Sequence, residues 1–336
     1  MNIYDISKKA GVSIATVSRV MNGKGNVSEK TRQKVLDVMQ ETNYTPNLFA
    51  RGLNLNSART IGVMCSDVMD IALAQAVSTT ERELRRHDYR SILCCTGGAF
   101  EDKYSNLQLL IRQRVDAVVM VGSQFCMPYD NSYIAEAAKE IPIVIINGFI
   151  DSENVYCCYC NDTAIVYSTA KKFLQQGHQE ILYLYEHESQ SGRRKKQGYL
   201  QAIAEENLLD HSHILQCSFD IEHTAALLSE LLSKEKIHSI IAAEDHLAVS
   251  ALKAAINLGI SVPEELSIVG YNNSMLSLCV NPEITSIDNR LGEMCIHSIQ
   301  ALINVLDGQP VINCTIFPGI LVNRKTANLG DLPADI

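Results

Sequence analysis

The chain has no tryptophan, and aromatic residues make up only 6% of its 336 positions. Any ligand ring that needs a stacking partner must therefore find a tyrosine or a phenylalanine. Long apolar runs are missing too. No hydrophobic stretch approaches the ~20 residues needed to cross a bilayer, and the N-terminal segment has no apolar signal-peptide core, so the sequence predicts a cytoplasmic protein without membrane contact. A phosphate loop is also absent. The segment VMCSDVMDIALA, which follows the first β-like run, holds neither GxGxxG nor GxxxxGK before Ser or Thr, which argues against an enzyme on a nucleotide-binding fold. No nucleophile, base and orienting residue recur in a consistent arrangement, so no catalytic residue and no cofactor is assigned.

Eleven cysteines is an odd count, and most lie inside apolar strand or helix patterns, where cysteine acts as a small hydrophobe. Cys157, Cys158 and Cys160 form the one cluster with metal-ligand character. On a strand, Cys158 and Cys160 face one way and Cys157 the other, and no fourth ligand is near in sequence, so no metal is assigned.

What is present begins at residues 5–23, DISKKAGVSIATVSRVMNG. A helix over Asp5 to Ala10 meets a Gly11-Val12-Ser13 corner. Ser13 then caps a second helix, whose apolar Ile14, Val17, Val20 and Met21 share one stripe. The glycine supplies the positive φ that so short a corner needs, and Ile14, Ala15, Ser18 and Arg19 are left to project outward. This is a helix-turn-helix pattern, although an ordinary helical corner has the same outline. A third helix follows, with Ser28 as N-cap and Val35, Leu36, Val38 and Met39 inward. Residues 1–59 carry nine lysines and arginines against four acids, a net of +5, while the whole chain is at −9, so the remainder carries −14. A basic head on an acidic body confines any affinity for nucleic acid to the first sixty residues.

Tyr44-Thr45-Pro46 ends the three-helix unit, and NLFARGLNLNSAR follows. A helix of about eight residues containing Gly52 is unstable alone. Leu48, Leu53 and Leu55 either rest on the body or belong to a segment that folds on DNA and presses a leucine into the minor groove. From Thr60 onward, short β-branched runs alternate with amphipathic helices in two series, the second starting near Asp162. That pattern predicts two parallel sheets covered by helices on both faces. Ligands in such folds bind beyond the carboxyl ends of the strands, which marks Ser66, Asp67, Asn147, Glu244, Asp245, Asn272 and Asn273 and makes the cleft between the lobes the default site.

The run YDISKKAGVSIATVSRVMNGKGNVSEKTRQKVLDVMQETNYTPNLFARGL, with GHQEI at 177–181, GYLQAI at 198–203, AEDHLAVSALKAAINLGISVPEELSIVGYNN at 243–273 and PEITSIDN at 282–289, resembles the lactose/galactose repressor (LacI/GalR) family over nearly the whole chain. The resemblance implies an all-α helix-turn-helix head at 1–46 and a hinge at 47–59. It further implies an α/β core at 60–330 of two Rossmann-like subdomains of the type I periplasmic-binding-protein kind, 60–160 with 290–318 and 161–289 with 319–330. It also implies a homodimeric transcriptional repressor that binds an operator in double-stranded DNA under control of a small polar effector. Ile14, Ala15 and Arg19 match the base-reading positions. Thr16, Ser18, Asn22 and Tyr44 match phosphate-holding ones, and Leu53 matches the minor-groove wedge. The effector set is Ser66, Asp70, Asp162, Arg193, Glu244 and Asn272.

The basic run Arg193-Arg194-Lys195-Lys196 favours an anionic effector such as a sugar acid or sugar phosphate, beside which a neutral sugar stays open. The chain ends at residues 332–336 without a leucine-heptad tail, so a dimer is expected rather than a tetramer. A solute-binding protein without regulatory DNA binding, and a regulator tuned by a protein partner, are the competing readings.

Overall fold

The computed structural model describes residues 3–22, 27–42, 58–209 and 212–330. The chain divides into two units, Met1–Arg59 and Thr60–Ile336.

The first unit holds α1 (Ile3–Ala10), α2 (Ile14–Asn22) and α3 (Glu29–Glu41). Gly11 makes the corner between α1 and α2 at φ +62°, and the Val12 N–H closes back onto Ser7 O at 3.1 Å. Ser13 starts α2 by accepting the Thr16 N–H on Oγ at 3.1 Å, and Ser28 starts α3 with the Thr31 N–H at 3.3 Å. Ile6, Ala10, Val17, Val20 and Val35 form the buried centre. Three expectations are corrected here. α1 begins at Ile3 and not at Asp5. Ile14 is 38% exposed, so it leaves the apolar stripe and keeps only its other expected place, among the residues that project outward. Leu36 is 42% exposed, since it lies about 100° around α3 from the buried Val35.

The second unit contains two six-stranded sheets. β1 (Thr60–Cys65), β2 (Arg90–Cys95), β3 (Ala117–Val121), β4 (Ile143–Ile146), β5 (Val155–Cys160) and β11 (Cys314–Phe317) make one, in the order β11-β5-β4-β3-β1-β2. β6 (Ile181–Tyr185), β7 (His213–Gln216), β8 (Ser239–Ala242), β9 (Ser267–Tyr271), β10 (Thr285–Asp288) and β12 (Ile320–Val322) make the other, in the order β12-β10-β9-β8-β6-β7. The pairings are parallel except β10 with β12, which is antiparallel and departs from the all-parallel expectation. Strands β1, β3 and β4 are buried along their length because helices cover both faces. On one face Ile61, Val63 and Val119 pack toward Met294 and Ile299. On the other, Met64, Val118 and Met120 pack toward Leu107 and Leu110.

In the first lobe the covering helices are α4 (Ile71–Arg86), α5 (Phe100–Arg112), α6 (Ser132–Ala138) and, returning from the far end of the chain, α12 (Leu291–Leu306). The second lobe has α7 (Asp162–Gln175), α8 (Gln190–Glu205), α9 (Ile221–Lys234), α10 (Asp245–Leu258) and the short α11 (Met275–Leu278). Three chain passages join the lobes: after Cys160, between Asp288 and Leu291, and between Phe317 and Ile320. The cysteine cluster lies in β5. Cys157, Cys158 and Cys160 are buried there, and burial pushes each thiol up to about 12, so they are packing groups. α8 lies so close to α7 that a Cβ at Gly198 would stand 2.3 Å from the Thr163 carbonyl oxygen. No described helix is long and apolar enough to cross a membrane.

Candidate functional site

Two surfaces carry chemistry. On the head, Arg19 is exposed on α2 together with Ile14, while Val17 and Val20 anchor the opposite side of that helix in the core. Thr16 is half-buried, and its hydroxyl shares a 2.9 Å hydrogen bond with Ser13 Oγ, so the cap fixes its rotamer. The side chains of Ala15, Ser18 and Asn22, and residues Tyr44 and Leu53, lie outside the described residues.

In the core, a cleft of about 50 Å³ opens between the lobes. The first lobe lines it with Asp70, Leu73, Ser123, Gln124 and Asn147, and the second with Ser189, Ser191, Lys195, Glu244 and Asn272. Of the predicted effector set, Asp70, Glu244 and Asn272 come together here. Asp70 caps α4, its Oδ1 accepting the Ala72 N–H at 2.8 Å and the Leu73 N–H at 3.2 Å. Burial and then the Glu244 charge push its carboxyl above the usual range, against those two bonds. Glu244 accepts from Asn272 Nδ2 on one oxygen and from Lys195 Nζ at 3.1 Å on the other. Asn289 Nδ2 holds the Asn272 carbonyl at 3.0 Å.

The remaining predicted residues are placed elsewhere. Ser66 is buried at the end of β1, where its backbone carbonyl accepts the Gly97 N–H at 2.8 Å, and it does not line the cleft. Asp162 is fully buried at the start of α7, where its Oδ1 accepts a hydrogen bond from the Tyr271 hydroxyl. Burial pushes its carboxyl up while Lys195 pulls it back. Arg193 is corrected. Its Nη1 donates to the Glu188 carbonyl at 2.6 Å, and it lines a separate groove with Lys196, Leu200 and Leu209 on the outer side of α8. The cause is helix geometry. On α8 Ser191, Lys195 and Gly198 share the buried face, and Arg193, two residues from both Ser191 and Lys195, lies on the opposite one. This removes the support that Arg193 lent to an anionic effector. Among the other strand-end candidates, Asn147 lines the cleft. Asp245 is spent on Ser274 and Ser286, whose hydroxyls it accepts at 2.7 and 2.6 Å.

Lys195 is the residue that sequence reasoning missed. It is 3% exposed, donates to Ala243 O at 2.7 Å and lies 3.8 Å from the centroid of the Tyr271 ring. Its spacing from Gly198 and Tyr199 on the inward face was the available signal. Contacts also bridge the lobes around the cleft: Ser123 Oγ donates to Ser189 Oγ at 3.0 Å, and the Arg194 guanidinium stacks 3.9 Å over Tyr159.

The model for bacterial regulatory proteins of the lacI family matches residues 2–47, and the model for the periplasmic binding protein-like domain matches residues 170–327. An HTH-type transcriptional regulator of Lachnoclostridium phytofermentans is 49% identical over 98% of this chain and 100% of its own length. The chain belongs to the LacI family. The HTH-type transcriptional regulator DegA of Bacillus subtilis is 31% identical over 87% of both chains. A Lac repressor dimer solved with operator and the anti-inducer ONPF superposes with a TM-score of 0.86 at 24% identity, covering 97% of this chain and 98% of that one. This LacI-family member is thus a helix-turn-helix transcriptional regulator with the fold of the Lac repressor.

Proposed function

We propose that this regulator is a cytoplasmic homodimeric repressor without catalytic activity, whose operator affinity is set by a small polar metabolite held between the core lobes. The observation that carries this reading is the cleft itself. Polar side chains from both lobes converge on one volume, so a ligand there acts on the angle between the lobes. In this scheme residues 1–46 are the DNA head, 47–59 the hinge and 60–330 the sensor. Arg19 reads a base edge, where a bidentate guanine contact gives about 1–3 kcal/mol of discrimination, Ile14 and Ala15 lie beside it, and Thr16, Ser18, Asn22 and Tyr44 hold phosphates. Leu53 enters the minor groove.

Exposed Ile256 on α10 and Met275 and Leu278 on α11 are apolar groups that a second copy would cover. Two heads then meet two half-sites of a pseudo-palindrome. The effector shifts the population of lobe arrangements, and a coupling of about 1–3 kcal/mol changes DNA affinity five- to 150-fold.

The test is selection of operators from a random DNA pool, followed by gel shifts with and without small-molecule extract. The wild-type chain should select a palindromic site, and Arg19→Ala should lose preference at one position per half-site. A chain that selects no site at moderate salt is not this regulator.

A further inference from the structure

We propose that the effector of this regulator carries a protonated amino group, which sits between Asp70 of the first lobe and Glu244 of the second. The inference rests on the reading that the interlobe cleft is the effector site, and it concerns the charge of what binds there. Three ionisable side chains line the cleft: Asp70, Glu244 and Lys195. Lys195 is already committed to Ala243 O, Glu244 and the Tyr271 ring, and its charge also answers the buried Asp162. One ammonium thus serves two carboxylates, and Asp70 remains without a cation of its own among the cleft-lining residues. His187 and His246, which do not line the cleft, are engaged by Glu186 at 3.1 and 3.3 Å.

One further observation points to a donor-bearing ligand. Asn147 Oδ1 is a buried acceptor on the first-lobe wall, without a hydrogen-bond partner among the described residues. A buried acceptor left unmatched is costly, and the group that satisfies it must donate.

An anion entering this volume meets like charge on both walls. A neutral hydroxyl can donate to either carboxylate, yet it leaves their mutual repulsion in place. An ammonium donates to both in charge-assisted bonds and removes the repulsion, which draws the lobes together. The space of about 50 Å³ suits a compact cationic head, with the rest of the ligand toward the cleft mouth.

Three achiral fragments of similar size separate the possibilities: ethanolammonium, ethylene glycol and glycolate. Binding to the full chain is followed by ligand-observed NMR. The expected order is ethanolammonium first, by about tenfold or more over ethylene glycol, with glycolate weakest. Asp70→Asn should abolish the advantage of the amine, and Glu264→Gln, at an exposed position outside the cleft, should leave it unchanged. Equal binding of the three, tighter glycolate binding, or an amine advantage that survives Asp70→Asn overturns the proposal. If a neutral or anionic fragment binds and Asn272→Ala removes it, the cleft stands as the effector site and only the charge assignment falls. If no fragment binds, or binding ignores both Asp70→Asn and Asn272→Ala, the cleft reading falls as well.

Discussion

Gln190 holds Phe149 by both ends of its amide: Oε1 accepts the Phe149 N–H at 2.7 Å, and Nε2 donates to the Phe149 carbonyl at 2.9 Å. Phe149 follows β4 in the first lobe, and Gln190 opens α8 in the second, so the pair is a two-point clasp across the lobes.

Replacing Gln190 with Leu keeps the bulk and removes both bonds. At about 1 kcal/mol each, their loss should weaken the closed arrangement by about 2 kcal/mol. Small-angle scattering of the variant is expected to give a larger radius of gyration than wild type, and an unchanged radius would show that the clasp does not hold the lobes.

Lys195→Met should cost more. The substitution leaves Glu244 and the buried Asp162 without their shared cation, and breaking a buried pair costs about 3–5 kcal/mol. Exposure of Glu244 at 31% puts the expectation at the low end of that range. Thermal unfolding should show a clearly lowered Tm. A Tm within a degree of wild type would contradict the assigned role.

Gly198→Ala tests the α7–α8 contact. The added methyl would meet Thr163 O at 2.3 Å and Tyr167 N at 3.0 Å, both backbone atoms that cannot rotate away. Overpacking of this kind costs about 1–3 kcal/mol. Urea denaturation should report a lower midpoint, with Gly97→Ala, where nothing lies within 4 Å but φ is +62°, as a backbone-strain control.

Acid and base should each weaken the Glu186 cluster, through different groups. Burial pushes Glu186 up, but hydrogen bonds and charges from His187 and His246 outweigh it and hold the carboxyl down at about 2. Its contribution is therefore complete above the ordinary 4.5 and is lost as pH falls toward 2. The hydrogen bond from Glu186 raises His187 above 6.5, so that contribution is complete below 6.5 and is lost as pH rises through the raised value. The stability gap between wild type and Glu186→Gln should peak at about pH 5.5 and shrink on either side. A gap that does not vary with pH would rule out the linkage.

Much of this molecule could be read from its letters. The 3.6-residue stripe of Val17 and Val20, the caps Ser13 and Ser28, and the βαβ alternation after Thr60 are local signals, and the structure builds each of them. Strands β5, β10, β11 and β12 were harder to see. β10, β11 and β12 run for only three or four residues, and VYCCYC in β5 has a single β-branched residue, Val155. The place of β11 depends on a chain return across more than a hundred residues, with Cys314 paired to Cys157.

The sequence by itself determined the class of the fold and the sign of each region's charge, because periodicity and composition act over a few neighbours. Only the tertiary structure decided which side chains share the cleft. Four basic residues in a row look equivalent in the sequence. α8 starts at Gln190, where Ser189 Oγ accepts the Gly192 N–H at 3.1 Å, and it packs with Lys195 on the cleft side and Arg193 on the outer groove. A helix turns about 100° per residue, so two neighbours in one basic run face nearly opposite ways, and packing alone selects which of them faces the cleft.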